Sequence, residues 1–268
     1  MENIQFVPAA SFAAMGTAFL FAFAIPALTF LIFKKKFGCS VKPFFIGCGS
    51  FVIFALILEA LLHSLILGNG RGELLTAKPL LYSLYGGFMA GLFEESGRFL
   101  AFKTILKKDF EDDSTALAYG AGHGGFEAFY ILLSTMLTNL VFSIMINTGN
   151  TEVITKNLTP ELLKNIEGTF ESLRITPPAH YLLSIVERLA GVVIHISLSV
   201  IVWFGAKNSK KWYFYPLAIL LHSAIDFVAA YCSLNKVNAI LIEGIVYLMA
   251  AITAAIAVLV WKNNFKKN

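Results

Sequence analysis

The chain has 268 residues, of which 57% are hydrophobic and only 14% charged, and its mean hydropathy is +0.72. That composition excludes a soluble domain of this length. The formal net charge of +4 does not point to nucleic acid as a partner, because the lysines cluster at the ends of apolar segments, where they orient a chain in a lipid bilayer.

Apolar runs long enough to cross a hydrocarbon core of about 30 Å recur along the whole length. The sequence predicts an all-α fold: a polytopic membrane helix bundle forming one integral membrane domain over 1–268, with a polar site in the bundle core. Seven spans are expected near 8–33, 44–67, 79–105, 115–146, 179–205, 212–232 and 238–261. The leading Met1-Glu2-Asn3-Ile4-Gln5 lacks the basic start of a cleavable signal. The apolar run after it is about 25 residues, too long for a signal core, so the first span is expected to be retained.

The connectors alternate in charge. Lys34, Lys35, Lys36 and Lys42 follow span one, Lys107 and Lys108 span three, and Lys207, Lys210 and Lys211 span five, while Lys262, Lys266 and Lys267 close the chain. The opposite connectors hold scattered cations only: Arg71, Lys78, Lys156, Lys164, Arg174 and Lys236. The positive-inside rule then places the N-terminus outside and the C-terminus in the cytoplasm of a bacterial plasma membrane, as an odd number of spans allows. The longest connector, 147–178, lies outside on this reading. Within it Thr159-Pro160-Glu161 is a helix start, and Leu162, Leu163, Ile166, Phe170 and Leu173 recur at helical spacing, which predicts an amphipathic helix. Cys39, Cys48 and Cys232 have neither metal-ligand nor redox spacing.

Ionisable residues inside the spans are costly and mark function by default. They read Glu94-Glu95-x-x-Arg98, His123-x-x-x-Glu127, Glu187-Arg188 with His195, and His222-x-x-x-Asp226. At a rise of about 1.5 Å per residue, Glu94 lies about 16 Å deep, His123 about 12 Å, and His195 and His222 roughly 15 Å, so the groups share one slab near the midplane. Residues four apart share a helix face. Glu95 points about 100° away from Glu94, so only one of them aims at a common centre and the other pairs locally, with Arg98 or Arg188. Gly120-x-x-x-Gly124 beside His123 lets a neighbouring backbone approach. Glu59 and His63, four apart toward the outer side of span two, read as a structural or rim pair; His180 and Glu243 read as interfacial, and Glu187 as an ion-pair partner for an arginine.

Carboxylates and three imidazoles at one depth suit hydrolysis: a carboxylate deprotonates water, and histidines bind a metal or stabilise an oxyanion. His123-x-x-x-Glu127 and His222-x-x-x-Asp226 each offer one nitrogen and one carboxylate on a single face, as a zinc or iron site needs. Neither is the His-Glu-x-x-His motif, so zinc is not forced. Buried acids and histidines form proton relays equally well, which keeps a proton-coupled transporter or channel open. A non-catalytic immunity or binding protein on the same scaffold is the third alternative.

The order of these motifs resembles the YhfC-type membrane proteins, within the superfamily of CAAX prenyl endopeptidases and bacteriocin-processing proteins, with PrsW-type proteases as relatives. The double glutamate with arginine appears as Glu94-Glu95-Ser96-Gly97-Arg98, and the aromatic-x-x-x-histidine as Tyr119-Gly120-Ala121-Gly122-His123. Glu187-Arg188 with His195 stands in for the third motif, and the last is His222-Ser223-Ala224-Ile225-Asp226. The arginine follows the glutamates sooner than in the prenyl endopeptidases, Tyr119 replaces phenylalanine, and Glu127 with His123-Gly124-Gly125 is closer to the YhfC and PrsW branches.

The resemblance implies an intramembrane endopeptidase acting on a peptide or membrane-protein substrate near the cytoplasmic half of the bilayer. Carried over, Glu94 would activate water with Glu95 as its alternate, and His123 and His222 would position that water or bind a metal. Asp226 would assist His222 or the oxyanion, and His195 would be a third ligand or a hydrogen-bond donor. A divalent metal, zinc first, would draw on His123, Glu127, His195 and His222.

Overall fold

A computed structural model describes residues 6–68 and 70–265; Met1–Gln5, Asn69, Lys266, Lys267, Asn268 and the side chains of Arg71 and Leu74 lie outside the described residues. The helices are, in chain order, α1 (Ala9–Phe37), α2 (Val41–Phe51), α3 (Ala60–Leu67), α4 (Gly70–Thr76), α5 (Pro79–Lys103), α6 (Ser114–Thr148), α7 (Glu152–Thr155), α8 (Pro160–Ile175), α9 (Pro178–Lys207), α10 (Phe214–Leu234) and α11 (Ala239–Asn264), and no strand occurs among the described residues. Between α2 and α3 the backbone widens into a π-helical segment, Val52–Glu59. Cations crowd the last turns of α1, α5, α9 and α11, where they meet the negative end of the helix dipole.

Six stretches among the described residues are long and apolar enough to cross a membrane: Ala9–Phe37, Val41–Leu67, Ser114–Thr148, Pro178–Lys207, Ser209–Leu234 and Ala239–Asn264. The seventh expected span is α5. It is 25 residues long, about 37 Å of helix, and Glu94, Glu95, Arg98 and Lys103 keep it out of the apolar set. Exposed leucines on the apolar helices, Leu20, Leu31, Leu65, Leu220 and Leu248, suit contact with lipid tails rather than water. In Pro178–Lys207, by contrast, 72% of the most apolar window is buried, against 17–22% in the other five. The C-terminal part of this helix therefore faces protein, with residues 197–206 buried throughout.

The chain clusters into two compact units, Met1–Ile25 with Ala128–Leu189, and Pro26–Glu127 with Ala190–Asn268. In the first, Asn147 clasps the backbone of Val7, its Oδ1 accepting from Val7 N at 2.7 Å and its Nδ2 donating to Val7 O at 3.0 Å. The helix start at Thr159 forms as the sequence predicts, with Thr159 Oγ1 accepting from Leu162 N and Pro160 following. The apolar side of α8 is buried at Phe170 and Leu173, with Phe170 edge-on to Phe142.

The second unit holds every polar residue of the candidate site. Its core is Phe102, Leu106, Tyr119, Leu198, Ile201, Val202 and Trp203. Trp203 Nε1 and Lys207 Nζ both donate to Asp113 Oδ1, at 2.7 and 2.9 Å. Glycines set the helix spacing here. A Cβ at Gly120 would lie 2.6 Å from Ile196 Cα, one at Gly124 2.8 Å from His195 Cβ, and one at Gly47 2.8 Å from His123 N. A Cβ at Gly87 would lie 2.7 Å from both Phe227 N and Ser223 O, which brings α5 and α10 together backbone to backbone. Gly120→Ala is therefore expected to destabilise the protein by about 1–3 kcal/mol, the cost of overpacking. Thermal unfolding in detergent checks this; an unchanged midpoint would mean that the α6–α9 contact has slack.

Candidate active site

Helix α5 brings three ionisable groups into the second unit: Glu94, Glu95 and Arg98, all buried. The two glutamates are adjacent in sequence and so point in different directions, and each finds its own partners. Glu94 Oε2 accepts from His123 Nε2 at 2.8 Å. Glu95 pairs with Arg98 one turn along and also takes His222 Nδ1 at 2.8 Å. Of the two local partners that the sequence offers Glu95, the structure uses Arg98. Arg188 pairs instead with its neighbour Glu187, in the other unit.

His195 of α9 joins these groups. Arg98 Nη2 donates to its Nδ1 at 3.1 Å, so that nitrogen carries a lone pair and Nε2 carries the hydrogen, which faces Glu127. The same Nδ1 is 3.8 Å from Glu94 Oε2. His222 Nε2 reaches Asp226 Oδ2 at 3.4 Å, leaving that imidazole flanked by carboxylates on both sides. The three rings form a row, with centroids 4.9 Å apart from His123 to His195 and 5.2 Å from His195 to His222.

The His123 ring is placed by packing as much as by hydrogen bonding. Tyr119, one turn earlier on α6, lies near-parallel to it at 6.0 Å, and Phe51 stands edge-on at 5.4 Å. Tyr119 is itself wedged against Phe102 at 4.7 Å. The aromatic-x-x-x-histidine spacing thus has a mechanical sense: the aromatic ring is the shelf on which the imidazole rests.

Glu95 and Arg98 are fully buried, so the pair cannot be broken cheaply. Arg98→Met leaves Glu95 with His222 and no guanidinium, and should cost about 3–5 kcal/mol, the range for an orphaned buried charge. The check is the thermal midpoint in detergent, with Arg98→Lys recovering part of the loss.

Eight of the residues singled out from the sequence on α5, α6, α9 and α10 meet in one place: Glu94, Glu95, Arg98, His123, Glu127, His195, His222 and Asp226. Glu187 and Arg188 are not among these contacts. Glu59 and His63 do form the expected pair, at 3.0 Å, and His63 Nδ1 also meets Tyr85 Oη at 2.8 Å. Sequence reasoning passed over Phe51, Gly47 and Tyr85. No spacing marks Phe51; Gly47, a small residue inside an apolar span, was the one available signal.

The donor chemistry fits a metal ion. Among the described residues, Glu94, His123 and His195 each bring one ligand atom, all within 4.8 Å of one another, and all three side chains are buried. One carboxylate and two imidazoles is a zinc-type set. Glu127 stands behind His195 as a carboxylate stands behind a metal-bound imidazole. A metal taking His195 Nδ1 would replace the Arg98 contact and leave Arg98 to Glu95.

Comparison with known proteins agrees with this arrangement. The chain is 34% identical over 234 residues to a Bacillus subtilis (strain 168) protein named "Uncharacterized membrane protein YhfC", covering 87% of this chain and 89% of that protein. No solved structure matches the chain. The model of the YhfC intramembrane metalloprotease family matches residues 21–247, a range that includes every residue of the cluster. This integral membrane protein belongs to the YhfC intramembrane metalloprotease family.

Proposed function

We propose that the protein is a membrane-embedded endopeptidase that hydrolyses a peptide bond of a membrane-protein or membrane-bound peptide substrate, near the cytoplasmic half of the bilayer. The observation that carries this reading is the buried grouping of Glu94, His123 and His195, brought together from three helices. The N-terminus then lies outside, the C-terminus lies in the cytoplasm, and the 147–178 connector with α8 lies on the outer side.

Glu94 is the base. Glu95 is spent on Arg98 and His222 and has no exposed surface, whereas Glu94 has one short partner, His123, and keeps a small opening. Glu94 takes one proton from the attacking water, whose oxygen bonds to the scissile carbonyl carbon. The carbonyl oxygen gains charge and is met by the Nε2–H of His222, which exchanges its longer 3.4 Å contact with Asp226 for the oxyanion while Glu95 holds Nδ1. The carbon–nitrogen bond breaks as Glu94 returns the proton to the leaving nitrogen. Glu127 takes the N–H at Nε2 of His195 and so fixes its ring and tautomer, which leaves the Nδ1 lone pair, now facing Arg98, free to serve as a ligand.

Glu94, His123 and His195 would hold a divalent ion, with zinc the best match to the donors. Such an ion supplies a Lewis acid for the carbonyl and a water that ionises near neutral pH. The test is reconstitution of the purified chain in vesicles with tagged single-span proteins, and mass analysis of the products. Fragments ending at one bond within the cytoplasmic half, absent with Glu94→Gln, support the reading. Fragments that persist with Glu94→Gln would refute it.

A further inference from the structure

Asp226 sits in the middle of α10, twelve residues from its start, yet 40% of its side chain is exposed. A carboxylate at that depth does not face hydrocarbon, where it would cost several kcal/mol; it faces the bundle interior or water. The surface it presents is therefore wet. Three further polar side chains gather on the same side of the cluster. Glu59, at the end of the π-helical segment, is nearly buried and feels the charges of Glu94, His222 and Asp226. His63 takes up Glu59 through Nε2 and Tyr85 through Nδ1, at 3.0 and 2.8 Å. The Glu59 side chain is 11% exposed and that of His63 31%, beside 40% for Asp226.

The π-helical segment belongs to the same feature. A wide turn of this kind is rare and is found mostly at functional sites. Here it ends on Glu59, the one carboxylate of α2–α3 placed within charge range of the cluster. A simple strut between α3 and α5 needs only the His63–Tyr85 contact; it does not need a carboxylate driven inward toward two other acids.

We propose that Glu59, His63, Tyr85 and Asp226 line a water-filled opening between α3, α5 and α10, through which water reaches the cluster around Glu94 from the outer aqueous phase. Hydrolysis inside lipid consumes water, and the apolar faces of the bundle do not carry it. These four groups supply alternating donors and acceptors along the way. The opening is independent of whether a peptide bond is cut, so it stands or falls on its own measurement.

The test uses the full chain in phosphatidylethanolamine–phosphatidylglycerol nanodiscs and a cationic, water-soluble methanethiosulfonate, with labelling counted above that of the native cysteines by intact mass. Glu59→Cys and His63→Cys should label about tenfold or more faster than Leu65→Cys, which is more exposed but faces lipid. Equal rates would overturn the proposal. Asp226→Cys should also label, and adding His63→Trp should slow it about tenfold by plugging the shared opening. An unchanged rate would mean that Asp226 has a separate access and that the shared opening does not exist. Where His63→Trp fails to fold, the comparison of Glu59→Cys with Leu65→Cys decides.

Discussion

Glu94→Gln is expected to abolish hydrolysis while leaving the fold intact, and Glu95→Gln to do damage of a different kind. The amide at 94 keeps the volume and one acceptor for His123 Nε2, so the Glu94–His123 contact survives in weakened form. What it loses is the capacity to take a proton from water and, since Glu94 is one of the three grouped donors, part of the hold on a bound ion, so ion content is measured beside turnover. General-base catalysis is worth roughly 10²–10⁴ in rate, so the turnover should fall by that factor. This corresponds to about 3–6 kcal/mol of transition-state stabilisation at about 1.4 kcal/mol per tenfold. At 95 the carboxylate is the counter-charge of a fully buried guanidinium, and Gln leaves Arg98 uncompensated. Its main effect should appear in the thermal midpoint, with activity lost alongside the fold. Measuring both quantities for both variants separates the roles. A Glu95→Gln protein that is stable but inactive, beside a Glu94→Gln protein that still cleaves, would reverse the assignment.

The second large effect concerns metal content. The purified protein should carry about one divalent ion per chain, removable by chelator, with loss of activity that zinc restores. His123→Ala and His195→Ala should each empty the site, because each removes one of three donors. Glu127→Gln should keep the ion but bind it about 10–100-fold more weakly, since the amide supports the His195 N–H less strongly than a carboxylate does. Cobalt titration followed by absorption reads the affinity without any substrate. An affinity indifferent to His123→Ala would sink the three-donor set.

The seven helices were legible because long apolar runs leave few alternatives, and the observed bounds fall within a few residues of the expected ones. The convergence of Glu94, His123, His195 and His222 was legible for a related reason: polar groups at one depth in separate spans have only one another to meet. The pairing inside the cluster was not. His123 and Glu127 share a face of α6, and spacing alone suggests that they act together. The structure gives His123 to Glu94 and Glu127 to His195, because neighbouring helices pack against that face and intervene. Helical periodicity says which way a side chain points and nothing about which helix stands opposite.

The π-helical stretch before Glu59 had no signature either, since Val52-Ile53-Phe54-Ala55-Leu56-Ile57-Leu58 reads as ordinary apolar helix. Its effect is to re-aim a carboxylate by a fraction of a turn. The family resemblance drew on residue types in order, which is why it survived: the order of motifs does not depend on how partners are shared.

The contacts at Gly47, Gly87, Gly120 and Gly124 carry one more implication. Where backbone touches backbone, the distance between two helices is a fixed contact with no long side chain to flex. Anchored this way, the spacing between the reactive groups owes little to lateral pressure from the surrounding lipid. A thicker or stiffer membrane would tilt the assembly before it could stretch the gap between one catalytic side chain and the next.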